Sequence, residues 1–160
     1  MNKSQLLHAI LERLNGDLLI ARGAAQTAYE AATDEENIAE NKYDTLGLEA
    51  SYLAAGQARR VQEISQALLA LQQLPLRDYD PQRGIQLGAL ILLADAAETQ
   101  RWLFLAPDAA GLKVEDQGQH IMLITTHSPM GQSLLGHAEG DEVQLQIGAK
   151  QQCFTVLHVY

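Results

Sequence analysis

Five acids, Asp34, Glu35, Glu36, Glu40 and Asp44, crowd the eleven residues DEENIAENKYD, with Lys42 the one base among them. Carboxylate oxygens are the donors that hard divalent cations take. Acids also favour the start of a helix through its dipole. What this stretch does therefore depends on what holds it. The other reactive side chains are scattered. His8, His120, His127, His137 and His158 show no H-x-x-x-H or H-E-x-x-H spacing, which points away from a zinc site. Ser128 follows His127, but neighbours in a strand or loop do not aim a ring at a hydroxyl, so they make no triad. There is no Walker loop and no dinucleotide fingerprint. One cysteine, Cys153, rules out an internal disulfide and a cysteine zinc cluster. Its setting, CFTVLHVY, reads as a strand with a buried, inert thiol.

The elements that must position the acids have a countable pattern. Leu7, Leu11, Leu14, Leu18, Ala21, Ala25, Ala28 and Ala32 alternate spacings of four and three, a heptad seam. A second seam runs through Leu46, Ala50, Leu53, Gln57, Arg60, Ile64, Ala67 and Leu71. Paired antiparallel from the outer ends inward, Leu7 meets Leu71, Leu18 meets Arg60, Ala25 meets Leu53 and Ala32 meets Leu46. The reversal then falls at about residue 39. The acidic stretch 34–44 becomes the tip of a coiled-coil hairpin over residues 1–75, with arms about 50 Å long. Thr33 or Asp34 ends the first arm, and Asn37 or Asn41 caps the second. Gln57 and Arg60 are polar on this seam, and a local stutter would rotate them outward. Gly16, Gly23, Gly47 and Gly56 each cost about 1 kcal/mol against alanine.

Pro75, Asp80-Pro81 and Arg83-Gly84 close the helical half and mark a linker. The period then changes. IQLGALILLAD, QRWLFLAP, QHIMLITTH, DEVQLQI and CFTVLHVY read as five strands of a twisted antiparallel sheet. Between the third and fourth, Ser128 is an N-cap, Pro129 the first helical residue and Gly136 a C-cap, so a short helix lies on the sheet. Trp102 reads as sheet core or edge.

The formal charge is −9, and both halves are acidic. Direct binding to duplex DNA is not expected, because no basic stripe exists to release counterions. No apolar run reaches the roughly 18 residues of a membrane span. Glu12, Arg13 and Asp17 interrupt any apolar leader near the N-terminus, so a cytoplasmic protein with no membrane partner is expected.

One segment resembles a known family. SPMGQSLLGHAEGDEVQLQ, followed by a strand ending in HVY, is similar to the C-terminal domain of the bacterial transcript-cleavage factors of the GreA/GreB family. That family reads SP-x-[AG]-x-[AS]-LLG-x-x-x-GD-x-V here. The matching residues are Ser128, Pro129, Gly131, Leu134, Leu135, Gly136, Gly140, Asp141, Val143 and, at the end, Tyr160. A long helical hairpin before such a domain, and the total length, also agree.

The resemblance implies an α+β protein: an N-terminal antiparallel two-helix coiled coil plus a C-terminal FKBP-like antiparallel β domain with a short helix, over residues 80–160. It implies a transcription elongation factor that is not itself an enzyme. The coil would enter the secondary channel of RNA polymerase. The β domain would grip the rim, with Ser128, Pro129, Met130 and Gly131 on the polymerase-facing surface. Arg59 and Arg60 would touch polymerase or RNA; a salt bridge or a solvated face is the plainer reading of that pair. Nascent RNA would be reached indirectly. Tip acids would help hold the second Mg2+ of the polymerase's own site while backtracked RNA is cut. This ion would be shared with the polymerase, with no cofactor tightly bound by the chain itself.

The family's tip pattern, D-L-x-E-N-A-E-Y, meets N-I-A-E-N-K-Y here. Glu40 and Asn41 match. Asn37 stands at the aspartate position, Glu36 is next door with a longer reach, and Tyr43 comes one residue early. Glu40 and Glu36 are therefore the expected catalytic, metal-holding pair. A rival alignment sets LEASYLAA beside the family's ENAEYHAA and brings in Glu49, which the seam arithmetic places well down the second arm. The asparagine also motivates an alternative, a non-cleaving occupant of the same channel that competes with Gre factors. A third possibility is a stand-alone interaction domain. Prolyl isomerase activity, which an FKBP-like fold suggests, needs an aromatic-lined pocket, and Phe104, Phe154 and Trp102 leave little to build one.

Overall fold

The computed structural model describes residues 2–34, 38, 40 and 45–160, with Ile147 described by its backbone alone. The chain forms two compact units. One is Glu12–Leu68, and the other combines Met1–Leu11 with Leu69–Tyr160.

The first unit is made of two long helices, α1 (Lys3–Thr33) and α2 (Leu46–Gln72), both of which extend beyond it. On α1 the seam follows the sequence pattern: Leu14, Leu18, Ala21 and Ala28 are buried, with Ala25 and Ala32 half-buried. Outside this unit, the root of the helix buries Leu6 and Ile10 completely, one residue ahead of the expected Leu7 and Leu11. On α2 three of the eight expected seam positions, Leu46, Leu53 and Arg60, are wrong by one residue. Ala50, Gln57, Ile64, Ala67 and Leu71 turn inward as expected, but Gly47, Ala54 and Val61 take the places of Leu46, Leu53 and Arg60, and Leu68 is buried beside Ala67. Leu46 and Leu53 are 55% and 56% exposed. Arg60 faces out and pairs with Glu63 at 3.7 Å. No stutter is needed, because Val61 takes the place assigned to Arg60. The inward positions are small on both helices: alanine on upper α1, and Gly47, Ala50 and Ala54 on α2. A shallow hollow of about 500 Å3 is lined by Arg22, Ala25, Gln26 and Tyr29 from α1 and by Ala54, Ala58 and Val61 from α2. Ala25 thus borders the same hollow as Ala54 and Ala58.

The second unit holds six strands: β1 (Leu90–Asp95), β2 (Gln100–Ala106), β3 (Lys113–Asp116), β4 (Gln119–Thr125), β5 (Glu142–Ile147) and β6 (Lys150–Val159), with α3 (Pro129–Leu134) between β4 and β5. The sheet order is β3-β4-β2-β1-β6-β5. Sequence reading gave five strands and missed β3, whose four residues, KVED, carry no alternating run. Its hairpin with β4 turns through Gln117 (φ 52°) and Gly118 (φ 75°). Pairing is antiparallel except between β2 and β4, which run parallel because β3 carries the chain back before β4 begins. One sheet face forms a core of Ile91, Leu93, Leu103, Leu105, Ile124, Phe154 and Val156, closed by Leu134 of α3. On the other face, Leu90, Phe104 and Leu123 align across β1, β2 and β4 and are also fully buried. The helix roots of this unit, with Leu6, Ile10 and Leu71 fully buried, belong to the same compact body. Trp102 is half-buried on β2, its ring 6.0 Å from that of Tyr160. Cys153 is half-buried rather than buried, because it lies toward the β5–β6 hairpin at the sheet edge.

Candidate functional site

The connection between α1 and α2 gathers the acids. At the end of α1 the Thr33 hydroxyl donates to the carbonyls of Tyr29 (2.9 Å) and Glu30 (3.3 Å), closing the last turn. Beyond it, Glu40 stands at an exposed bend and Ile38 is 67% exposed. Glu36, Asn37 and Asn41 lie outside the described residues. α2 opens where Glu49 N donates to the Thr45 carbonyl (2.8 Å), and the Thr45 hydroxyl donates to the Glu49 carboxylate (3.1 Å). The helix thus begins at Leu46, and neither expected asparagine is adjacent to its start. This moves Glu49 from well down the second arm to the first turn of α2, where the helix dipole favours a carboxylate. Asp34, Glu40 and Glu49 are therefore all at or beside the helix reversal. Sequence reasoning undervalued Glu49 because it began the second helix too early; the signal was the threonine four residues before it.

Around α3 each expected contact residue has a role in the fold. Ser128 caps the helix. Its Oγ accepts from Gly131 N (3.1 Å) and donates to the Thr125 carbonyl (2.7 Å). Pro129 occupies the first turn and is exposed, while Met130 packs against the core. Gly131 is required by sterics, since a Cβ there would stand 1.9 Å from the Thr125 carbonyl oxygen. The outward surface here is His127, Pro129, Gln132 and Leu135.

The loop after α3 is held by carboxylates. Asp141 Oδ2 accepts from Ala138 N (2.8 Å) and lies 3.2 Å from His137 Nδ1. The Ala138 N–H, and then the His137 ring, hold the Asp141 carboxyl below the usual carboxylate range. Glu139 accepts from Val159 N (2.7 Å), and its own N–H donates to the Tyr79 hydroxyl (3.1 Å). Arg59 and Arg60 are exposed on α2. Among the described residues no three His, Cys, Asp or Glu side chains converge to hold a metal, and no helix is long and apolar enough to cross a membrane.

Residues 84–160 match the family described as transcription elongation factor, GreA/GreB, C-terminal. A curated relative, the transcription elongation factor GreA of Chlorobium phaeobacteroides (strain BS1), is 24% identical over 159 residues, covering 99% of this chain and 82% of the relative. Among solved structures, the GreA factor homolog 1 protein of Thermus thermophilus is 24% identical, with a TM-score of 0.39 over 94% of each chain. The GreA/GreB factor of Nitrosomonas europaea is 19% identical, with a TM-score of 0.36 over 60% of this chain and 78% of that one. A helical hairpin with Asp34, Glu40 and Glu49 at or beside its reversal is followed in the chain by a β unit that carries this family's C-terminal motif. Residues 84–160 of this chain thus carry the C-terminal domain of the GreA/GreB family.

Proposed function

We propose that this protein binds RNA polymerase through the secondary channel and stimulates magnesium-dependent cleavage of backtracked RNA by the polymerase's own site. The observation that carries this reading is the exposed Glu40 at the reversal of two long antiparallel helices. Magnesium keeps several waters and needs only one or two carboxylates from a visiting protein. Glu40 would donate to an ion that the polymerase already holds, with Glu36 as the second donor; Glu49 stands in the adjoining turn of α2. In two-metal chemistry an added carboxylate raises occupancy of the weaker site, and the ions activate water and steady the leaving oxygen. This chain's part is to bring and orient the oxygens, so it is not an enzyme itself. Arg59, Arg60 and the surface around Ser128, Pro129, Met130 and Gly131 would serve contacts with the polymerase.

Asn37 favours a second reading, a channel occupant that does not cleave. An asparagine carbonyl can ligate but brings no charge. Competition tests the part common to both readings. Labelled GreA is bound to core polymerase and this protein is titrated in; displacement is expected. GreA retained at saturating protein overturns channel binding.

A further inference from the structure

The six-stranded sheet ends at two edges, β3 and β5. A free edge offers a row of unpaired N–H and C=O groups, and proteins usually guard it with short strands, charge, proline or a bulge. β3 is guarded: it has four residues, of which Lys113, Glu115 and Asp116 are charged. β5 is not. It runs for six residues, Glu142–Ile147, with one charge at its start, no lysine or proline, and no break in its register with β6.

The groups left open follow from the ladder. The Val156 N–H donates to the Asp141 carbonyl (2.9 Å), so that carbonyl faces β6. Along an antiparallel strand the facing alternates. Val143 and Leu145 therefore also bond to β6, and the backbone N–H and C=O groups of Glu142, Gln144 and Gln146 point outward. No described residue hydrogen-bonds to these groups. The side chains of Glu142, Gln144 and Gln146 are exposed on one sheet face, while Val143 and Leu145 are buried on the other.

This edge is complementary to itself. Laid antiparallel against a second copy and centred on Gln144, it sets Gln144 against Gln144, Glu142 against Gln146 and Val143 against Leu145. The outward groups of all three residues then find partners, because each facing pair exchanges both of its bonds. Apolar residues continue one face across the junction, and amides meet on the other. Charge selects the register. The two Glu142 residues stand four positions apart along the strands, about 14 Å at ~3.4 Å per residue, beyond the screening length of ~8 Å at physiological salt. A slip that sets Glu142 against Gln144 halves that separation, and a slip of one residue turns the apolar side chains to the wrong face. We propose that β5 is a self-association edge whose occupant is β5 of a second copy, paired antiparallel about Gln144, so that two six-stranded sheets become one. This matching favours a second copy over a foreign strand, for which the edge offers no charge to read beyond Glu142. The net charge of −9 opposes association, so the dimer should strengthen with salt.

Sedimentation equilibrium of the full-length protein, over a concentration series at physiological salt, tests this. Wild type should pass from monomer to dimer. Gln144→Lys and Gln144→Glu each set like charges face to face across the two-fold axis, so both should weaken the dimer roughly fivefold or more. Gln146→Lys sets a lysine opposite Glu142 of the other copy, twice over by symmetry, and should tighten it roughly fivefold. Net charge alone would make Gln144→Lys and Gln146→Lys behave alike. Circular dichroism and the thermal midpoint check that each variant keeps its fold. If the Gln144 variants do not, Gln146→Lys and Gln146→Glu carry the test, the first tightening and the second weakening the dimer. A wild type that stays monomeric at about 1 mM overturns the proposal and leaves the edge to a foreign strand. A dimer that the Gln144 variants leave unchanged overturns it by placing the contact elsewhere. One that Gln146→Lys weakens overturns the register.

Discussion

Gly16, Gly23 and Gly56 lie inside α1 and α2, and a Cβ added at any of them meets no atom within 4 Å. None has the positive φ that would demand glycine. In a helix interior glycine is worse than alanine by about 0.8–1.0 kcal/mol, because it loses more backbone entropy on ordering. Open space means that no steric cost offsets the gain. Gly16 and Gly23 are about 10 Å apart along α1, and Gly56 is on the other helix, so the three effects should add. Gly16→Ala/Gly23→Ala/Gly56→Ala should therefore stabilise the hairpin unit by about 2.5–3 kcal/mol. For a unit of this size, 1 kcal/mol moves Tm by about 4–8 °C, so the helical transition should rise by about 10–20 °C. Far-UV circular dichroism during heating reads it, since α1 and α2 supply most of the helix. An unchanged or lowered midpoint would refute the reasoning and show that these glycines meet a constraint the packing does not reveal.

The phase of α2 is tested by charge insertion: Val61→Asp should cost the hairpin about 2 kcal/mol, whereas Leu53→Asp should stay within about 0.5 kcal/mol; urea unfolding with the reverse order would restore the seam that hydrophobicity alone suggests. Gly131→Ala should destabilise the β unit by about 2–3 kcal/mol, because the new methyl group meets the Thr125 carbonyl rather than a flexible side chain. Chemical unfolding with no loss would remove the steric requirement. The lowered folded pKa of Asp141 makes its ionised form the stabilising one. Its contribution is present above the ordinary aspartate range and is lost as pH falls through the lowered folded value. The stability gap between wild type and Asp141→Asn should therefore narrow below about pH 4; a gap that widens in acid has the wrong sign.

Legibility in the sequence followed the strength of local signals. The α1 seam was readable because Leu14, Leu18, Ala21, Ala25, Ala28 and Ala32 keep the alternating four and three spacing. The α2 seam was readable in part. Hydrophobicity preferred Leu46 and Leu53 over Gly47 and Ala54, the small residues that face inward. The short helix was announced by Ser128, Pro129 and Gly136, each with a backbone reason. The necessity of Gly131 was not visible, since it depends on a carbonyl from the preceding strand. β3 was hidden by its charged residues and short length. Of the expected tip pair, Glu40 is in view at the helix reversal, whereas Glu36 falls outside the described residues. Glu49 came to the reversal only once α2 was seen to start at Leu46.

The central claim is that the hairpin carries Glu40 to the magnesium of RNA polymerase. RNA length in a halted, backtracked elongation complex supplied with Mg2+ tests it most directly. Wild-type protein should shorten the RNA, and Glu40→Ala should bind the polymerase equally well yet leave the RNA intact. Intact RNA at saturating wild-type protein, or shortening that survives Glu40→Ala, would contradict the claim.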